Sequence, residues 1–164
     1  MRRILFVLLL SASNPVLSQH SFTMEELHNI FLLRERNQIV KSISSVGLKE
    51  AGDFEKQKLF AETSDKVAVF IGNGSRSRVG LVFDETEIHS LYLVDSTVVI
   101  EKLLNDLSNL GFTLAKQRGE IFKSFTRRKT DYFIMFSWFD DTGSISMIAI
   151  LPKGKHFKSA YTKK

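Results

Sequence analysis

Leu103, Leu104, Leu107, Leu110 and Gly111 repeat, at an offset of 64 residues, the pattern Ile39, Val40, Ile43, Val46 and Gly47. Apolar residues three and four apart mark one face of a helix, and a glycine just beyond supplies the left-handed backbone that commonly ends it. Two helices therefore stop in the same register, and the segments after each are alike. After Gly47 come strand-like segments at 54–62, 66–72 and 78–84, the last two joined by Asn73-Gly74, a strong hairpin signal. After Gly111 come segments at about 119–127, 131–139 and 144–151, the last two joined by Asp140-Asp141-Thr142-Gly143. A further segment, Glu87 to Val94, closes the first set. The pattern predicts an α+β fold, a tandem repeat of a helix followed by three or four antiparallel strands. The helices are expected on one face of a joined antiparallel sheet.

The first unit would cover residues 19–94 and the second 95–152, with a basic tail at 153–164. Within the first, Thr23 and Glu26 form a capping box, and Met24, Leu27, Ile30 and Phe31 share a face. After Arg34-Glu35-Arg36-Asn37 the apolar stripe turns to the opposite side, which predicts a break there. Ser96 or Thr97 opens the helix of the second unit. On these two helix-glycine-hairpin units and on export, the chain resembles in architecture the helix-plus-four-strand tandem of the secreted β-lactamase inhibitor proteins. The resemblance rests on no family motif, and no functional residue is carried over.

Export is argued from residues 1–18. Arg2 and Arg3 precede the apolar run Ile4 to Leu10, and Val16 and Ser18 suit the minus-three and minus-one positions of cleavage before Gln19. That segment is too short for a permanent transmembrane helix, so a soluble secreted or periplasmic chain is expected after cleavage. The chain has no cysteine, which excludes disulfide staples, thiolate zinc sites and a cysteine nucleophile. Without the two signal arginines, 21 basic and 18 acidic side chains remain, unevenly spread: 9 and 11 in residues 19–94, 12 and 7 in residues 95–164. A modest charge gathered at one end does not describe a dedicated nucleic-acid protein.

The run Tyr132-Phe133-Ile134-Met135-Phe136-Ser137-Trp138-Phe139 is apolar on both sides of a strand, with Tyr132, Ile134, Phe136 and Trp138 on one and Phe133, Met135 and Phe139 on the other. Val67 to Ile71 repeats this more mildly. Either the strand is central, covered on both faces by another layer or a homodimer mate, or its aromatic side is an open surface. The second alternative makes Tyr132, Ile134, Phe136 and Trp138 the expected contact residues for a protein or apolar ligand. The leading functional expectation is accordingly an exported, non-catalytic binding module. Catalysis is not the favoured reading, and nothing in the sequence asks for a cofactor or metal.

Two alternatives accompany it. Glu85, Glu87 and His89 would share a strand face and could move protons in a small hydrolase, although solvated edge charges explain them as well. Lys116, Arg118, Lys123, Arg127, Arg128 and Lys129, interleaved with Phe122 and Phe125, could grip a polyanion, with Lys123, Arg127, Arg128 and Lys129 at the centre. Charges of this kind also protect edge strands from aggregation. Gly72 to Arg78 matches neither phosphate-binding fingerprint and is expected to be a hairpin tip, with Asn73-Gly74-Ser75 an acceptor for N-glycosylation. Asp140 and Asp141 lack calcium-loop spacing and are expected to be turn residues.

Overall fold

The computed structural model describes residues 21–61, 64–72 and 77–153. The signal segment 1–18, the Asn73-Gly74 tip and the tail beyond Lys153 lie outside the described residues.

Helix α1 (Met24–Leu32) begins at Thr23, whose hydroxyl accepts from the Glu26 N–H at 3.1 Å while the Glu26 carboxylate accepts from the Thr23 N–H at 2.8 Å. This reciprocal pair satisfies two N–H groups that a helix start would otherwise leave bare. The chain breaks at Arg34, held at φ 64°, and resumes as α2 (Arg36–Ser45). The reversal of the apolar stripe at Arg34–Asn37 thus coincides with a real change of helix. Gly47 takes φ 87°, and a short strand β1 (Leu48–Glu50) comes directly after it.

The segment expected as a strand at 54–62 is instead helix α3 (Asp53–Phe60). Asp53 and Glu55 in its first turn and Lys58 in its last complement the helix dipole, and Ala61 ends it in the left-handed region. Phe54, which suggested a strand, is 76 % exposed. Beyond it run β2 (Val67–Gly72), β3 (Arg78–Asp84), β4 (Glu87–Ser96), α4 (Thr97–Asn105), β5 (Thr113–Arg118), β6 (Phe122–Thr126), β7 (Tyr132–Trp138) and β8 (Ile145–Pro152). The expected segment at 119–127 is thus the turn and second strand of a hairpin whose first strand, β5, carries little apolar pattern.

All eight strands form one antiparallel sheet in the order β1-β2-β3-β4-β8-β7-β6-β5. Its centre is the β4–β8 ladder, with Leu91 opposite Ile150 and Leu93 opposite Ile148. Cross-strand partners share a face, so Ala68, Leu81, Leu91, Ile150, Ile134 and Phe125 make one row across six strands. Val69, Gly80, Tyr92, Ala149, Met135 and Ser124 make the neighbouring row on the opposite face.

The first face packs with α1, α2 and α4 through Met24, Leu27, Phe31, Ile39, Ile43 and Ile100. Leu59 of α3 belongs instead to the cluster with Val69, Tyr92, Met135, Met147 and Leu151 on the second. The helices are thus divided between the two faces, with α3, a helix the pattern did not predict, apart from the other three. Strands that are apolar on both sides lose stabilisation wherever either side stays wet, and α3 takes up part of the second side. Gly80 allows this close approach: a Cβ there would stand 2.5 Å from Leu59 Cδ2 and 2.7 Å from Phe60 Cζ.

Candidate functional site

The four aromatic-strand residues lie on the face packed with α1, α2 and α4. Tyr132, Ile134 and Phe136 are buried, Phe136 to 1 %, and Trp138 is half-buried against the same cluster. Side chains already covered by the protein's own helices cannot serve as an open contact surface. The expectation of an aromatic contact face at Tyr132, Ile134, Phe136 and Trp138 is corrected: β7 is an interior strand between β8 and β6.

The acid–histidine group is also dispersed. Glu85 sits at φ 56° in the turn before β4, and Glu87 bridges to Glu35 at the start of α2. His89 occupies the register shift where Val82 pairs with Ser90 and Phe83 with Ile88, so strict alternation fails there. No cluster of three or more potential metal ligands occurs among the described residues. Asp140 behaves as a turn residue: its carboxylate accepts from the Ser144 and Thr142 hydroxyls and the Ile145 N–H. These bonds, Ser144's first, hold it below the ordinary aspartate value.

The basic group, by contrast, gathers at one margin of the sheet. Strand β5 is the outer strand, and all six of its residues are exposed. Lys116 pairs across to Ser124 and Arg118 to Phe122, so both cations project on one face. Leu114, paired with Phe125, projects on the other. On β6, Lys123 extends over the Phe136 ring, 5.6 Å from its centroid. That contact sets the ammonium group itself against the aromatic face, and the Lys123 side chain is half-buried.

The β6–β7 turn carries Arg127, Arg128 and Lys129, with Lys129 at φ 64°. Thr130 fastens the turn, its hydroxyl 2.9 Å from the Arg127 carbonyl and 3.0 Å from that of Tyr132. Lys153, just past β8, donates to the Thr130 carbonyl and adds a further cation at this end. Residues 113–131 thus hold six bases against two acids. The ion pairs formed among the described residues are Arg34–Asp131 at 3.8 Å, Lys56–Glu50 at 3.6 Å and Arg78–Glu55 at 2.7 Å. None of the six margin cations takes part.

Under the turn lies a polar pair that periodicity alone does not reveal. His28 on α1 and the Tyr132 hydroxyl are 2.5 Å apart, enclosed by Phe31 and Phe112. Burial, and then the Arg127 charge, lower the His28 pKa from 6.5. Burial raises that of Tyr132, while Arg127 and Arg34 act against the rise. The histidine is therefore neutral at physiological pH, a hydrogen-bonded core group. In sequence its only signal was its place in the apolar stripe of α1. The margin thus brings together five exposed cations and the outer edge of β5. Compared with protein-family models, curated proteins and solved structures, the chain matches none.

Proposed function

We propose that the protein is an exported, non-catalytic binding module whose contact surface is the basic margin formed by β5, β6 and the β6–β7 turn. The observation that carries this reading is the set of six cations, five of them exposed, that enter no ion pair among the described residues. Unpaired surface charge within one margin attracts an anionic macromolecule over roughly a Debye length, about 8–10 Å at physiological salt. Lys123, held over Phe136, loses less freedom on binding than a charge on a free side chain.

Export rests on the charge-and-apolar layout of residues 1–18. The further reading that the sheet was assembled from two copies of one unit is supported by the 64-residue offset. The strand order β1-β2-β3-β4 against β8-β7-β6-β5 and the positive φ of both Gly47 and Gly111 support it too.

The test is retention of the purified full chain on immobilised dextran sulfate as salt is raised. The wild type should bind at low salt and elute steeply. A variant with Arg127→Glu, Arg128→Glu and Lys129→Glu, all on exposed side chains, should keep its far-ultraviolet circular dichroism and fail to bind. Equal retention of the two proteins would remove the basic margin as the contact surface.

A further inference from the structure

The geometry points to a specific class of partner for this margin: an extended acidic polypeptide that adds to β5 as a ninth strand. The inference rests on the binding reading above and narrows it, because charge alone does not distinguish a polypeptide from a sulfated or carboxylated polymer. What distinguishes them is the backbone of β5. Among the described residues that strand has one neighbour, β6, so alternate N–H and C=O groups along its outer side meet no other described strand. Only another polypeptide backbone offers donors and acceptors at matching spacing.

The side chains define what the incoming strand should carry. Lys116 and Arg118 are two residues apart on one face, a separation of roughly 6.5–7 Å in extended chain. Acidic side chains at i and i+2 of a paired strand meet them. Leu114, 53 % exposed, projects from the opposite face and favours an apolar residue on the alternate positions. At the Thr113 end the strand would run toward Arg127, Arg128 and Lys129, which extends the acidic preference beyond the ladder.

A second copy of this chain does not meet these requirements. Two β5 edges side by side would bring Lys116 and Arg118 against their own equivalents, and like charges across strands repel. The same charges that protect the edge from self-association leave it open to an acidic strand.

The experiment uses the full chain and three probes: a synthetic peptide of about twelve residues alternating Glu and Val, the same peptide N-methylated at every second residue, and dextran sulfate. The parent peptide should bind, N-methylation should weaken it by roughly tenfold or more, and hydrogen exchange should slow at amides of Leu114–Arg118. In Lys116→Glu/Arg118→Glu, preference should pass to a Lys-Val peptide of the same length. If both Glu-Val peptides bind equally with no protection of β5, strand addition is overturned and charge-only binding stands. Binding of dextran sulfate with neither peptide bound would overturn it in favour of an anionic polysaccharide. Failure of all three probes would overturn both the strand addition and the binding reading beneath it.

Discussion

His28 Nε2 and the Tyr132 hydroxyl meet at 2.5 Å, tying α1 to the first residue of β7 across the core. The tautomer of the ring decides which group donates. Either way, each spares the other the cost of an unpaired polar atom away from water.

This pair gives stability a pH dependence of definite sign. Burial and Arg127 hold the folded His28 below 6.5, whereas in the unfolded chain it protonates near that value. Below pH 6.5 the unfolded state gains a proton that the folded state resists. Stability is therefore fully present above that pH and falls as acid is added toward the lowered folded value, by at most about 1.4 kcal/mol per pH unit. Denaturation measured at about pH 7.5, 6.5 and 5.5 should show this slope in the wild type and lose it in His28→Phe. An unchanged slope in the variant would assign the effect to other groups. Tyr132→Phe should cost about 1–3 kcal/mol at neutral pH by leaving His28 without its partner.

The seat of α3 on β3 can be probed at Gly80. Gly80→Val should destabilise by about 1–3 kcal/mol, because Leu59 and Phe60 already occupy the space. Leu59→Ala removes one of the opposing tips, so the double variant should be less unstable than the sum of the two changes. Simple additivity in urea denaturation would show that α3 does not press on this glycine.

Gly143 holds φ 69° against the Trp138 indole, where a Cβ would lie 3.0 Å from ring carbons, and its carbonyl accepts from the Thr97 hydroxyl at the start of α4. Gly143→Ala should cost at least the roughly 1–2 kcal/mol of a left-handed non-glycine residue. Trp138 is the chain's one tryptophan, so its emission reports the shift directly. Unchanged emission and stability would contradict the close contact.

Phe136→Ala separates core from contact surface on β7. Loss of a fully buried aromatic should cost about 3–5 kcal/mol. At a temperature where the variant remains folded, its affinity for dextran sulfate should fall by no more than the few-fold that freeing Lys123 from the ring costs. A selective loss of affinity with stability intact would return β7 to the role of contact strand.

Much of this arrangement is legible in the residues. The capping box at Thr23, the break at Arg34 and the turn glycines Gly47 and Gly111 follow from local chemistry, and the structure contains each. Strands β3, β7 and β8 fall close to their expected bounds because their apolar runs are long and end in turn residues. Where signals were short, tertiary packing decided. Phe54, Leu59 and Phe60 fit a strand or a helix equally, and α3 forms because Leu59 and Phe60 find Gly80 beneath them. Strand β5 has almost no apolar alternation, since an outer strand exposed throughout needs none. The aromatic run of β7 announced burial or binding without saying which, and the helices above it were what decided. The basic margin was visible as composition, but that its charges meet no acid among the described residues is a three-dimensional fact.

The joining of β4 to β8 has a consequence for how the molecule is made. Strands β2-β3-β4 and β5-β6-β7-β8 are runs of neighbouring hairpins closed by short connections, which form early and independently, while β1 joins β2 through α3. The seam between them waits for Ile145–Pro152, the last of the eight strands to be synthesised. Until then β4 and β7 both present bare apolar edges, and a nascent chain must be kept from its neighbours. A chain cut short before Ile145 would remain in that state permanently, two half-sheets each with an adhesive border, prone to exchange strands with one another and to precipitate.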